Sequence, residues 1–208
     1  MSYLEKLLKG VEVEWKSLGE VGEIVRGNGL QKKDFTDKGF PAVHYGQIFT
    51  RFGLCADKTF TYISEDFARK LKKARRNDLL IATTSENDKD VLKPLAWLGD
   101  ETAISGDMMM FRHNQDVKFL AYYFQTTSFQ KQKIKYITGA KVRRISKDSL
   151  AKMIIPIPPL EKQKQIVSIL DKFDTLTNSI SEGLPKEIEL RKKQYEYYRD
   201  LLLSFPKK

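Results

Sequence analysis

Residues 69 to 76 read RKLKKARR, six cations in eight positions with no acid among them. A run of one sign concentrates potential on one face, and the chemistry it performs is the holding of a polyanion. A second basic stretch covers 130–152, where Lys131, Lys133, Lys135, Lys141, Arg143, Arg144, Lys147 and Lys152 face a single acid, Asp148. The formal net charge of +10 follows this placement. A solvated basic surface without a partner is the plain alternative. Phosphate contacts need long cations in one-sign clusters, which makes Lys70, Lys72, Lys73, Arg75, Arg76, Lys133, Lys141 and Arg143 the candidates. Base edges call for amides, hydroxyls and imidazoles on loops. His44-Tyr45-Gly46-Gln47 ranks first, because Gln bonds adenine through both ends of its amide and Gly lets a backbone approach. Thr84, Ser85 and Asn87, in a polar loop ending an apolar strand, rank second. Arg144, a few residues beyond Gly139, could enter a groove.

Catalytic signatures are missing. No phosphate loop of the GxxxxGK[ST] type occurs, and Gly27-Asn28-Gly29 lacks the third glycine of a dinucleotide fingerprint. An Asn or Asp followed by Pro-Pro and an aromatic, the tetrapeptide of DNA amino-methyltransferases, is also missing. The single Pro-Pro is Pro158-Pro159, between Ile157 and Leu160. His44 and His113 have no second histidine at ligand spacing, and the lone Cys55 forms neither a disulfide framework nor a zinc site. Asp88-Lys89-Asp90 hints at nuclease chemistry, yet acid-plus-lysine clusters are common in loops. The chain is therefore expected to need no cofactor or metal of its own, and to act as a reader or scaffold.

The elements that must position these residues follow from patterning. A hydrophobic fraction of 41% in 208 residues fills one core with an appendage. Ser2 and Glu5 form a capping box before a short helix ended by Gly10. From Val11 to Arg112 the texture is that of short strands: VEVEW, then 19–26, 40–49, 58–63, 78–84, 94–98 and 107–112. Residues 64–73 read as a helix, Asp116 caps another with Val117, Leu120 and Phe124 on one face, and Ser128 starts a third. MIIPIP closes the globular part. Past Pro159, Ile166, Ile169, Phe173, Leu176 and Ile180 recur at spacings of three and four, a heptad seam. Gly183-Leu184-Pro185 interrupts it, and Ile188, Tyr195, Tyr198, Leu202 and Phe205 mark a second helix. The expected fold class is α+β: a mixed domain over 1–158, then long coiled-coil-forming helices over 159–208. A hairpin folded back on its own domain is the competing arrangement for those helices. No apolar run reaches the roughly 18 to 20 residues of a membrane helix, MSYLEKLLKG is too charged for a signal peptide, and one cysteine suits a reduced cytoplasm.

Leu160-Glu161-Lys162-Gln163, QIVSILDKFDTL and GLPKEIELRKKQYEYYRDLLLSF resemble the helical region of type I restriction-modification specificity subunits. Trp15-Lys16-Ser17-Leu18-Gly19-Glu20-Val21, FPAVHYGQIF (40–49), NDLLIATTS (77–85) and ITGAKVRRIS (137–146) resemble segments of that family's target-recognition domain. The resemblance implies a non-catalytic subunit that reads double-stranded DNA. It also implies that the helices dock methyltransferase subunits, which use S-adenosylmethionine, while the nuclease is another chain. A full family member has two recognition domains, each followed by its helix. This chain has one of each, so it resembles a half-length subunit or a fragment of a full one, and LLLSFPKK stops just after the seam, as a natural half-subunit would. Two copies pairing antiparallel through 160–205 would restore the pair. A helix of about 20 to 24 residues spans roughly 30 to 36 Å, close to one DNA turn of about 34 to 36 Å, so the rod would act as a ruler between half-sites of an inverted repeat. The alternative is a dimeric DNA-binding regulator acting alone.

Overall fold

Leu79-Leu80-Ile81-Ala82 is a continuous apolar run because both faces of its strand are covered. In the computed structural model, which describes residues 9–179 and 185–205, this strand is the middle of a five-stranded sheet. In chain order the strands are β1 (Glu14–Ser17), β2 (Gly22–Arg26), β3 (Phe40–Val43), β4 (Cys55–Ala56), β5 (Thr61–Ile63), β6 (Lys73–Ala74), β7 (Leu79–Ala82), β8 (Thr84–Ser85), β9 (Lys93–Trp97), β10 (Thr102–Ile104), β11 (Met108–His113), β12 (Arg143–Arg144) and β13 (Ile154–Ile157). The central sheet has the order β2-β11-β7-β9-β4, antiparallel except for β4 beside β9. A four-stranded sheet, β5-β3-β10-β6, stands next to it, with β3 and β10 parallel. β1 pairs with β13, tying the two ends of the domain together, and β12 pairs with β8.

Period-two alternation sorts the central sheet into two cores. Leu79, Ile81, Met109 and Phe111 face the helices, whereas Leu80, Ala82, Met108 and Met110 pack with Val43, Ile48 and Trp97 on the other side. The helices are α1 (Leu18–Val21), α2 (Tyr45–Thr50), α3 (Glu65–Ala68), α4 (Val117–Phe124), α5 (Thr127–Ile134), α6 (Lys147–Ala151), α7 (Leu160–Ser179) and α8 (Pro185–Leu202). The α+β class stands. Asp116 caps α4 as the sequence suggests, its carboxylate accepting from the Lys118 and Phe119 N–H groups.

Several local expectations are corrected. The strand expected over 19–26 begins only at Gly22, because Ser17 and Glu20 close a capping box that starts α1. The strand expected over 40–49 ends at Val43, where His44 caps α2. The helix expected over 64–73 stops at Ala68, and Lys73 joins β10 instead. Thr126, not Ser128, caps α5. The Ser2–Glu5 cap, Ile180 and the side chain of Leu176 lie outside the described residues.

The C-terminal seam is largely satisfied within the chain. Ile166 and Leu202 are fully buried in the helix-side core, joined there by Leu170, Leu203 and Phe205. Ile169 and Tyr195 are half-buried against the same cluster, Ile188 is half-buried, and the Phe173 and Tyr198 rings stack at 5.8 Å. The bases of both helices are thus folded onto the domain, which removes Ile166 and Leu202 from the set expected to face another chain. The apolar stripe is wide enough for α7, α8 and the domain to share it.

His113 ends β11 with its Nδ1 accepting the Gln115 N–H at 3.1 Å, while Nε2 is buried without a partner. Burial is the main cause that holds its pKa down to about 4 from an ordinary value near 6.5. The imidazole is neutral in the fold and the unfolded chain takes up the proton first. Stability should therefore be at full value above pH 6.5 and fall as the pH drops towards about 4. His113→Gln should flatten that acid limb in urea titrations; an unchanged limb would assign it to carboxylates.

Candidate nucleic-acid interface

A cleft of about 740 Å³ brings segments distant in the chain together. One wall is the start of α2, with His44, Tyr45 and Gln47. The opposite wall is β8 and its following loop, with Thr84, Ser85 and Asn87. Val142, on the turn before β12, completes the lining. That turn is a tongue: Thr138 and Arg144 exchange backbone hydrogen bonds of 2.9 Å each. Gly139, at φ +91°, makes it possible, since a Cβ there would sit 2.1 Å from the Val142 carbonyl. Six base-reading candidates from two distant stretches thus share one concavity. Arg144, paired with Thr84 across the β12–β8 ladder, is exposed and does not line it.

Local chemistry determines what each side chain can offer. The His44 Nδ1 accepts the Gly46 N–H at 3.2 Å, which places the ring proton on Nε2. Burial first, and Lys32 second, lower its pKa, so the ring is a neutral donor. The Tyr45 N–H is held by the Ser105 hydroxyl at 2.9 Å, and its ring lies 4.6 Å from that of His44. Thr84 donates to Asp107 at 3.2 Å, while Asn87 is tied to Asp90 through both ends of its amide, at 2.8 and 2.9 Å.

Gln47 is the clearest departure from expectation. Its Oε1 accepts the His44 N–H at 3.0 Å and its Nε2 donates to Thr61 at 3.3 Å, with only 8% of the residue exposed. The amide is consumed in capping α2 and is not spare for a two-point contact with adenine. Gln47→Ala should cost about 1–2 kcal/mol of stability through the lost cap and contact. Its effect on ligand affinity should be uniform across sequences; a loss confined to one base position in competition binding would restore it as a reader.

The cations divide differently from their order in the chain. Lys70, Lys72, Arg75 and Arg76 are exposed, but none lines the cleft; Lys72 and Lys73 line a separate groove with Arg69, Glu23 and Arg112. Lys73 also pairs with Glu101 at 3.6 Å and lies over the Phe40 ring at 4.6 Å. Arg143 is engaged by Asp88 at 2.9 Å and by the Gly139 carbonyl at 2.6 Å, whereas Lys141 is exposed at the tongue's tip. Lys133 leaves the phosphate set altogether. It is 1% exposed and donates to the Lys89 and Val91 carbonyls at 2.9 Å each. Burial drives its pKa down to about 8. Its work is to hold the loop behind Asn87 against α5.

The cleft's own cations, Lys32 and Arg51, were not singled out by the sequence. Neither sits in a dense basic run; the available signal was only their position beside a turn and a short amphipathic helix. Arg51 lies over the exposed Phe60 ring at 5.6 Å.

The arrangement is that of a mixed α+β domain whose cleft is built on strand and helix ends, with a helical pair attached. Its backbone superimposes on the HsdS subunit of Thermoanaerobacter tengcongensis with a TM-score of 0.58 at 20% identity, over 96% of this chain and 48% of that one. Residues 10–190 match the family described as type I restriction modification DNA specificity domain, and the chain belongs to that family. It is similar to the type I restriction enzyme EcoR124I/EcoR124II specificity subunit of Escherichia coli, 38% identical across 99% of this chain and 52% of that protein. A specificity subunit described as putative in Haemophilus influenzae is 33% identical over 98% of this chain and 51% of its own length. The chain spans about half the length of these relatives.

Proposed function

We propose that this chain belongs to the specificity component of a type I restriction-modification enzyme, reads one short sequence in double-stranded DNA and performs no catalysis. The observation that carries the reading is the cleft in which His44, Tyr45, Thr84, Ser85 and Asn87 converge beside Lys32 and Arg51. A cavity that mixes apolar walls with several hydrogen-bonding side chains and two flanking cations suits base edges next to phosphates, where base contacts specify and phosphate contacts position. Lys70, Lys72, Arg75, Arg76 and Lys141 would hold the backbone further along the duplex, each being exposed.

In this reading residues 1–158 recognise DNA, and 159–208 form a coiled-coil spacer through which two copies associate about a two-fold axis. Support comes from α8, where Leu190 and Tyr197 are seven residues apart and 60% and 64% exposed. Heptad spacing on an exposed face suits a second copy. The pair would read an inverted repeat with an unread centre. It would work in the cytoplasm, docking methyltransferase subunits that bring S-adenosylmethionine, and a nuclease subunit.

Selection of bound duplexes from a random library with the purified chain tests this directly. Enrichment of a split, two-fold symmetric motif is the expected result, with affinity falling steeply as salt rises. Equal retention of all sequences would sink the reading.

A further inference from the structure

The helical pair is joined to the domain by two kinds of contact with different consequences. Ile166, Leu170 and Leu202 form an apolar plug, completely buried. Apolar burial is non-directional: it attaches the helices but leaves their angle soft. Three polar contacts with defined geometry surround the plug. Gln163 of α7 is fully buried; its Nε2 donates to Gln115 and to the Pro158 carbonyl at 2.8 Å each, and its Oε1 accepts the Asp116 N–H at 3.0 Å. Asp171, two turns further along α7, accepts from the Tyr122 hydroxyl at 2.8 Å and pairs with Lys118, both on α4. Asp200 of α8 accepts from the N–H of Thr127 at 3.3 Å and from its hydroxyl, at the start of α5.

We infer that Asp171 and Asp200 are positioning residues that set the angle of the rod, and with it the separation of half-sites that a pair of chains accepts. The inference rests on the proposed reading of the chain as a paired DNA reader. One anchor fixes a point, a second fixes an axis and a third stops rotation; Gln163, Asp171 and Asp200 supply the three. The magnitude decides that this matters. A rod of about 30 Å tilted by roughly 6° moves its end by about one base-pair rise, 3.4 Å. An apolar joint alone could flex that far, whereas a hydrogen bond weakens steeply once bent or stretched. Both carboxylates are partly exposed, with side-chain exposures of 37% and 32%, so neutralising them leaves the plug intact.

The test uses the full chain and the motif it selects, in duplexes carrying one half-site or two half-sites with the spacer shortened or lengthened by single base pairs. Wild type should discriminate between adjacent spacer lengths by about tenfold or more, while the Asp171→Asn/Asp200→Asn variant should fall below about threefold. Half-site affinity should stay within about twofold of wild type. Glu161→Gln, exposed on the same helix and paired with Lys164 of that helix rather than with the domain, should behave as wild type. The inference is overturned if the double variant keeps the wild-type spacer preference, if half-site binding collapses with it, or if Glu161→Gln relaxes the spacer equally. Absence of any sequence preference in wild type would instead sink the function proposed above, independently of the joint.

Discussion

Asp78→Ala should lose about 3 kcal/mol of folding stability, the largest single-residue effect expected outside the apolar core. Asp78 is 2% exposed and does two jobs at once. Its carboxylate accepts from Arg112 at 2.8 and 3.1 Å, and it also takes the Arg75 N–H at 2.9 Å. The hydrogen bond to Asp78 is the main reason the Arg112 guanidinium holds its proton more tightly than usual. Truncation leaves that cation largely enclosed without its hydrogen-bonded carboxylate, only Glu23 and Glu101 acting on it from further off, and removing one partner of a buried pair costs more than the pair contributes. The figure is kept below the fully buried range because 28% of the Arg112 side chain reaches solvent. Urea unfolding of the single variants and of Asp78→Ala/Arg112→Met should show strong coupling, with the double change milder than Asp78→Ala alone. Additive losses would mean that the carboxylate acts through the Arg75 backbone only. Since Arg75 and Arg76 follow directly in the exposed basic run, the same variant should also weaken DNA binding without changing its sequence preference.

Lys32→Ala with Arg51→Ala should lower DNA affinity by about 100-fold near physiological salt, equally for cognate and random duplexes. These are the cations that line the cleft. Each phosphate contact released should reduce the magnitude of the log–log salt slope by about 0.9, so the double variant should lose roughly two units. Losing Lys32 also removes the second of the influences that depress the His44 pKa, burial being the first. An unchanged salt slope would show that the cleft does not face phosphate, and would leave binding to the run at 69–76.

Much of the domain was legible in its residues, for reasons that are local. Leu79–Ala82 and Met108–Phe111 are recognisable as buried strands because β-chain geometry alternates faces whatever surrounds it. Asp116 is recognisable as a cap because its side chain reaches N–H groups only two and three residues on. The two C-terminal helices, Leu160–Ser179 and Pro185–Leu202, follow from spacing and one proline. Short elements misled: four residues of helix after Ser17, or six after His44, carry too little periodicity to outweigh the β-formers around them. β10 was missed for the same reason, being three residues whose pairing with β3 and β6 is entirely long-range.

What the amino-acid order determined by itself is therefore the longer elements and the excess of positive charge, because each depends on intrinsic residue chemistry and near neighbours. What only the tertiary structure decided is which polar groups are free. Lys133 and Gln47 look like any exposed lysine or loop amide in the chain, yet carbonyls 42 and 44 residues away enclose one and an N-cap with Thr61 consumes the other. Lys32 and Arg51, unremarkable in order, line the cleft. A polar side chain's role is set by whether its hydrogen-bonding capacity is already satisfied, and those partners are contributed by segments distant in sequence.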